Sequence, residues 1–261
     1  MDSVEKEVQG YRKAAKAKRD KAIRNNDPTV LPDARSDLQN AITLLEPLIP
    51  ARGSKFGDTD EKYTKLLYQC LGSMGGTWRD EAELESDGEQ KGLCWDQSVS
   101  YYDEGYKIES GNDDRYPDFK FCDSYNLLQR LVARVLRDFR CLTDGDTKLG
   151  KGLNVPEELA RAEREISDQV AEPSGPRKKD PWAWADYAEV LILRGKNHEA
   201  AWEKFIKGIL SIEAYEANHR AYTSLVRAAE QAEPPPSWLP AARETVRQLS
   251  EKLKSLYEIK V

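Results

Sequence analysis

The chain has 261 residues, of which 39% are hydrophobic and 33% are charged, and its mean hydropathy is −0.75. No apolar run reaches the roughly eighteen residues that a membrane-spanning helix needs, and the N-terminal segment has no apolar stretch typical of a signal peptide. We therefore expect a cytoplasmic protein with no membrane partner. The formal charge of −6 argues against a protein that coats nucleic acid over its whole surface, but it allows a local basic patch.

The first predicted helix is strongly basic. Residues 11–24 carry seven Lys or Arg side chains and one acid, and their apolar stripe is thin. On one interpretation, Arg12, Lys16 and Arg19 bind an acidic partner or nucleic-acid phosphates. On the other, they form the solvated face of a terminal helix. Tyr11 is the one aromatic residue among these positions, which argues against base stacking.

Three later segments share one spacing of small, large and small residues at positions i, i+4 and i+7. This spacing places the three side chains on one helix face and lets that face pack closely on a neighbour. A short helix pair cannot bury both its faces alone, so the repetition predicts stacked pairs. The three triads are Ala34, Leu38 and Ala41, then Ser98, Tyr102 and Gly105, and then Ala201, Phe205 and Gly208.

A predicted helix over residues 61–80 contains Gly72, Gly75 and Gly76. Each glycine costs a helix about 1 kcal/mol relative to alanine, so we expect close contact with a neighbouring helix to offset that cost. After this helix, the acidic residues 80–93 are interpreted as an insertion that separates it from the next helix.

The most regular pattern runs from Phe121 to Leu142 and predicts one helix that is buried on two sides. Its third, exposed strip is predicted to carry Asn126, Arg130, Arg134 and Arg137. One interpretation is a solvated strip paired with acids of the helix that follows it. In the functional interpretation, the strip lies on the inner face of a solenoid and binds a peptide backbone or a carboxylate.

The segment Asp180–Ile212 predicts two antiparallel helices around a short turn. Asp180 is a suitable N-cap, Pro181 suits the first helical position, and Gly195 suits the helix end. Trp182 lies two residues before the predicted seam residue Trp184, so it points elsewhere and is a candidate anchor for a partner.

The resemblance to a known family rests on Trp184, Ala188, Gly195 and the third triad, which resemble the tetratricopeptide repeat. The turn is one residue longer than in that family, and glycine replaces the last alanine of the motif. The segments CLGSMGGTWRD, YYDEGYKIE, DSYNLLQRLVARVL and WAWADYAEVLILRGKNHEAAW are similar to divergent repeat modules of bacterial conflict and defence proteins, and to the repeat region of apoptosis signal-regulating kinases. The resemblance implies an adaptor or sensor arm.

Residues with catalytic or metal-binding chemistry are scarce. His198 and His219 have no neighbouring ligands at zinc-site spacing, and no nucleophile motif or phosphate-binding loop is present. We therefore expect no enzyme activity, no metal, no cofactor and no small-molecule substrate. The four cysteines have no CxxC spacing and are predicted to be buried free thiols: Cys70, Cys94, Cys122 and Cys141.

Together these patterns predict an all-α protein, a right-handed α-solenoid of about five antiparallel helix pairs in a single domain over residues 1–261. The pairs are expected at about residues 5–50, 60–110, 117–171, 180–213 and 215–258. The predicted function is non-enzymatic binding of another protein, as an adaptor or regulator that holds or restrains an effector in bacterial antiviral defence or stress signalling. The first alternative is a nucleic-acid-binding solenoid that uses the basic N-terminal helix and the arginine strip. A helical enzyme is a second alternative.

Overall fold

The computed structural model describes residues 2–116, 120–121, 123–144, 153–171, 173–208 and 211–258, and in this part of the chain the protein is all-α. Short 3₁₀ turns occupy Pro28–Val30 and Glu46–Leu48. The helices are α1 (Ser3–Asn25), α2 (Leu31–Leu45), α3 (Asp58–Leu84), α4 (Gly88–Glu109), α5 (Tyr125–Arg137), α6 (Cys141–Asp144), α7 (Val155–Val170), α8 (Pro181–Leu193), α9 (Glu199–Gly208), α10 (Ile212–Ala229) and α11 (Leu239–Glu258).

The chain divides into two compact units, Met1–Ala133 and Arg134–Val261, and the division falls within α5. In the first unit, α1 packs on α2, α2 on α3 and α3 on α4, and α1 also contacts α3. Leucine, isoleucine and alanine side chains from these helices form one apolar core. The first triad lies in this core, because Ala34, Leu38 and Ala41 have no exposed surface.

Three glycines let α3 approach three different helices. An added Cβ at Gly72 would lie 2.5 Å from Asn126 Oδ1 of α5. At Gly75 it would lie 2.9 Å from the ring of Tyr102 in α4, and at Gly76 it would lie 2.8 Å from the guanidinium group of Arg19 in α1. Close packing is therefore the reason for these residues, as the sequence predicted.

The helices of the second unit have capped ends, and the cap at Asp180 and the helix end at Gly195 were predicted from the sequence. Asn154 caps α7, Asp180 caps α8 and Ser211 caps α10, each by accepting a hydrogen bond from a backbone N–H of the first turn. Gly195 follows α8 with a positive φ of 64°, a conformation that glycine adopts without steric strain. In this unit α7 packs on α8, α8 on α9, and α10 on α11.

The helices fall close to the five predicted ranges, but the third range holds three helices, α5, α6 and α7, instead of a pair. Two boundaries were also predicted wrongly. The predicted helix from Phe121 to Leu142 is shorter, because α5 ends at Arg137 and a turn precedes the short α6. The acidic residues 80–93 are not an insertion between helices. They form the end of α3 and the start of α4, and residues 85–87 alone connect the two.

The cysteines Cys70, Cys94 and Cys141 are buried and unoxidised, as predicted, while Cys122 lies outside the described residues. Burial raises the pKa of the Cys70 thiol to about 11, so this thiol stays protonated and unreactive near neutral pH. No described helix is both long and apolar enough to cross a bilayer.

Candidate functional site

A row of basic side chains runs along the side of α1 that faces α3. Arg12, Lys16 and Arg19 are spaced by four and three residues, so they share one stripe of the helix. The core-facing stripe of α1 is a different one and consists of Val8, Ala15 and Ala22. The three basic residues predicted from the sequence therefore come together on one surface at the edge of the core.

Two of these three side chains are fixed by hydrogen bonds to α3. Arg12 Nη1 donates to Gln69 Oε1 at 3.0 Å, and Arg19 Nε donates to Asp80 Oδ2 at 2.7 Å. Lys16 lies between them and is 69% exposed, with its Nζ 3.1 Å from Asp20 of the same helix. The stripe thus presents one exposed cation between two that are hydrogen-bonded to α3.

The Arg19–Asp80 contact is partly sheltered from water. Arg19 is 20% exposed and Asp80 is 5% exposed at the side chain. Burial alone would lower the pKa of Arg19, but the charge and hydrogen bond of Asp80 outweigh it and the pKa is raised. Arg19 therefore stays charged, and it lies flat over Gly76, where no side chain competes for its place.

α5 continues this surface along the stripe of α3 that Arg19 also covers. Arg79 Nη1 of α3 donates to Gln129 Oε1 of α5 at 2.9 Å. The Tyr125 ring, 39% exposed, lies 5.9 Å from the ring of the fully buried Tyr102 and covers Gly72. We call this surface the polar face and define it by Arg12, Lys16, Arg19, Gln69, Arg79, Asp80, Tyr125 and Gln129. Lys16 and Tyr125 are its exposed members, whereas Asp80 and Gln129 are buried and hold the arginines from beneath.

The predicted arginine strip of α5 is not an exposed strip. Asn126 has no exposed surface, and Arg130 and Arg134 are 4% and 3% exposed. Arg137, at the end of the helix, is half-buried. The expectation that Asn126, Arg130 and Arg134 present a surface to a partner was therefore wrong.

Nonlocal packing explains the burial of this strip. Asn126 lies between Gly72 of α3 and Gly105 of α4, and its Nδ2 donates to Tyr68 O at 3.2 Å. Arg130 lies 3.8 Å from a carboxylate oxygen of Asp103 in α4, and its guanidinium group lies 4.1 Å from the centre of the Tyr106 ring. These polar side chains join helices together within the first unit, since their partners lie on α3 and α4.

Trp182 lies in the second unit and is 48% exposed, as its position off the seam predicted. Its ring centre lies 6.4 Å from that of the fully buried Phe205, so the indole lies beside α9. Trp184 is half-buried and donates its Nε1–H to Lys178 O at 2.8 Å. The two neighbouring tryptophans thus have different environments.

The polar face contains residues that sequence reasoning missed, namely Gln69, Arg79, Tyr125 and Gln129. A signal for two of them was present, because Gln69, Gly72, Gly76 and Arg79 follow one stripe of α3 at steps of three and four. A stripe that alternates polar residues with glycines faces neighbouring backbones and not an apolar core. Tyr125 and Gln129 had no comparable signal, since α5 is apolar on most of its surface.

Chemically, the polar face combines four cationic side chains with a tyrosine. Arg19 pairs with Asp80, Lys16 with Asp20 and Arg79 with Glu83, while Arg12 donates to the neutral amide of Gln69. Such a surface is suited to binding acidic or hydrogen-bonding groups. Among the described residues, no group of three or more His, Cys, Asp or Glu side chains is arranged to hold a metal ion. No protein-family model, curated protein or solved structure matches this chain.

Proposed function

We propose that this protein is a non-enzymatic adaptor or regulator that binds another protein through the polar face of its first unit. The observation that carries the proposal is the arrangement of Arg12 and Arg19, each held in place by α3 before any partner arrives. A surface that is already ordered loses little side-chain entropy on binding, so the interactions it makes contribute more fully to affinity.

The polar face also has the composition expected of a binding surface. It joins arginines to a half-exposed tyrosine, and these residue types are enriched at the energetic centres of protein interfaces. Lys16 adds a solvated cation that attracts an acidic partner during encounter. We propose an acidic segment of an effector protein as the partner.

The biological setting is proposed from the resemblance to tetratricopeptide repeats and to repeat modules of bacterial conflict and defence proteins. On that basis the chain holds or restrains an effector encoded elsewhere, in the cytoplasm, in antiviral defence or stress signalling. The helix packing of the first unit, in which α3 contacts α1, α2 and α4, is compatible with stacked helix pairs.

The experiment is affinity capture from the native cells with matched charge reversals on α1. The test variant carries Arg12→Glu and Lys16→Glu, on the stripe facing α3. The control carries Lys13→Glu and Lys21→Glu, which change the net charge equally but replace fully exposed side chains outside the stripe of Arg12, Lys16 and Arg19. We expect a stoichiometric protein partner with the unsubstituted chain and the control, and at least about tenfold less with the test variant. Failure to recover any stoichiometric partner would contradict the proposal.

Nucleic-acid binding is the second candidate, and the exposed outer side of α1 favours it, with Lys13, Lys21 and Arg24 at its surface. The burial of Arg130 and Arg134 removes the other basic element on which this candidate relied. The same two variants separate the candidates. Phosphate binding through the outer side predicts that Lys13→Glu with Lys21→Glu abolishes a salt-dependent mobility shift of RNA or DNA.

A further inference from the structure

Both histidines of this chain contact α11, the last described helix. His198 immediately precedes α9, and its Nε2 lies 3.3 Å from Thr245 Oγ1. His219 lies in α10, and its Nε2 lies 2.8 Å from Ser250 Oγ. Two half-buried imidazoles from different places in the second unit therefore hold the same helix.

The hydroxyl groups in these two contacts act as acceptors. Thr245 Oγ1 donates to Ala241 O at 3.1 Å, and Ser250 Oγ donates to Val246 O at 2.9 Å. Since a hydroxyl group has one proton to donate, each of these oxygens accepts from the imidazole, whose Nε2 carries the N–H. The Nδ1 atom of each ring is therefore the position where a further proton binds.

Few buried side chains hold α11 in place. Of the 20 residues of α11, four are buried, namely Leu239, Ala242, Thr245 and Leu249. Leu253 and Leu256 continue the same face at helical spacing, but both are half-buried. A helix with so little buried surface opens locally at a lower free-energy cost than a core helix does.

Polar contacts supply much of the remaining attachment. Trp202 Nε1 donates to Gln248 Oε1 at 2.8 Å, and the Tyr257 hydroxyl donates to Glu216 near the end of α11. With the two histidine contacts, these hydrogen bonds connect α11 to α9, to α10 and to the turn before α9. A change in the charge of either imidazole therefore acts directly on the docking of α11.

Burial lowers the pKa of both imidazoles below the ordinary value of 6.5, because a charged ring loses solvation at these positions. A group whose pKa is lowered by folding contributes stability that is fully present above pH 6.5. That contribution is lost as the pH falls from 6.5 through the pKa of the folded state. Acidification therefore weakens the attachment of α11 at two points.

The charged groups near His198 do not reverse this effect. Glu199, the next residue in the chain, favours the charged ring but does not outweigh burial. Arg194 and Lys196, in the turn before His198, both pair with Glu163. On α11, the residues one turn from Thr245 are all uncharged: Ala241, Ala242, Gln248 and Leu249.

The groups near His219 have little net charge. On α10, the titratable residues one turn from His219 are Tyr215, Glu216 and Tyr222. On α11, the charged residues one turn from Ser250 are Arg247 and Lys254. Burial raises the pKa of both tyrosines, so they are neutral here, and Arg247 pairs with Glu244 and Glu251. Lys254 and Glu216 remain with opposite charges, so burial decides the pKa of His219.

We propose that α11 is a pH-sensitive latch on the second unit, closed while His198 and His219 are neutral and opening when mildly acidic conditions protonate them. An imidazolium can still donate to its hydroxyl oxygen, so the cost lies in placing charge at a half-buried site and not in losing the hydrogen bond. Opening exposes the surfaces of α9 and α10 that α11 contacts. The latch is independent of the polar face, whose residues all lie in the first unit.

Hydrogen–deuterium exchange of the full chain, followed by mass spectrometry, measures how often α11 opens. The readout is the protection factor of its amides, corrected for intrinsic exchange, at pH 7.5 and pH 5.5. We expect protection of α11 to fall at least about fivefold at pH 5.5. Protection of α1–α4 should not fall, because the first unit contains no histidine. Equal protection of α11 at both pH values would overturn the proposal.

The decisive variant carries His198→Gln and His219→Gln. Glutamine presents an N–H donor near the position of Nε2 but does not titrate. We therefore expect the protection of α11 in this variant to agree within about twofold at the two pH values. A variant that loses protection at pH 5.5 as the unsubstituted chain does would contradict the role of the histidines.

The matched control is Glu216→Gln, which removes the carboxylate that accepts from Tyr257 of α11. It is expected to lower the protection of α11 at both pH values and to keep the difference of about fivefold between them. Loss of the pH dependence in this control would assign it to the carboxylate and overturn the proposal.

Proton NMR of the unsubstituted chain gives a test that needs no variant. Both imidazoles are expected to titrate with pKa values below the ordinary 6.5. A pKa at or above 6.5 for either ring would remove the contribution of that ring and overturn a latch with two contacts.

Discussion

At the residue scale, Gly75 sets how closely α3 and α4 approach. The carbonyl oxygen of Gly75 accepts a hydrogen bond from Ser98 Oγ at 2.8 Å, and the buried Tyr102 ring covers its Cα. We expect Gly75→Ala to lower the free energy of unfolding by about 1–3 kcal/mol, because overpacking a filled site forces its neighbours to shift.

The matched control is Gly92→Ala in α4, where an added Cβ meets nothing within 4 Å. Alanine there should raise the free energy of unfolding by about 0.5–1 kcal/mol through helix propensity alone. Urea denaturation of both variants measures the difference. Equal effects of the two substitutions would mean that the close contact at Gly75 does not exist.

Glu109 is a second residue with a measurable consequence. Burial raises its pKa well above the ordinary value of 4.5, and the nearby charge of Asp123 adds to the rise. Its Oε2 accepts a hydrogen bond from Asn126 N at 3.3 Å, at the start of α5. The folded state therefore holds a proton that the unfolded state releases above pH 4.5.

At Glu109 the folded chain binds more protons than the unfolded chain. This residue therefore makes the free energy of unfolding fall as the pH rises from 4.5 through the raised pKa of the folded state. We expect Glu109→Gln, which keeps an acceptor for Asn126, to stabilise the protein at pH 8 and to flatten that dependence. Free energies of unfolding at pH 5 and pH 8 for both chains test this. A variant less stable than the unsubstituted chain at pH 8 would refute the assignment.

The polar residues also show where sequence reasoning reaches its limit. The packing role of the three glycines followed from the known cost of glycine in a helix, which requires a compensating contact. The burial of Asn126 and Arg130 could not be predicted in the same way. Their polarity indicates solvent exposure, whereas their partners lie on α3 and α4, at positions that no local pattern connects to them.

At the element scale, the contact between Arg19 and Asp80 ties α1 to α3. Replacing Arg19 with methionine leaves a nearly buried carboxylate without its closest cation, and we expect a loss of about 3 kcal/mol in unfolding free energy. Lys16→Met, which removes an exposed pair, should change it by no more than about 0.5 kcal/mol.

The double variant Arg19→Met with Asp80→Leu shows whether that loss of unfolding free energy comes from the unpaired charge of Asp80 or from the lost packing of Arg19. It removes both charges and should recover most of the stability that Arg19→Met loses. Thermal unfolding of the three variants provides the comparison. A double variant as unstable as Arg19→Met would show that the cost lies in the packing of the arginine over Gly76 and not in its charge.

The helix boundaries show the same division between local and nonlocal information. The caps at Asn154 and Asp180 were predictable because a cap depends on neighbouring residues. Residues 80–93 were mistaken for an insertion because of their acidity, although Glu, Ala and Leu favour helices and Asp87 begins the next one. The end of α5 at Arg137 interrupts an apolar pattern that continues through it, so periodicity alone could not locate it.

At the scale of the whole molecule, positive charge is concentrated in one helix. The chain is acidic overall, yet α1 carries eight Lys or Arg side chains and three Asp or Glu side chains. The polar face belongs to the first compact unit, and the exposed Trp182 belongs to the second. Composition predicted a soluble helical chain, but the formation of the polar face depends on which helices pack together.

The central claim is that the polar face binds a protein partner, and the most direct test uses the captured partner in purified form. Isothermal titration calorimetry would measure its Kd for the unsubstituted chain, for Arg12→Glu with Lys16→Glu, and for the control Lys13→Glu with Lys21→Glu. We predict a Kd at least about tenfold weaker for the first variant and within about twofold for the control. Equal affinities of all three chains would contradict binding through the polar face.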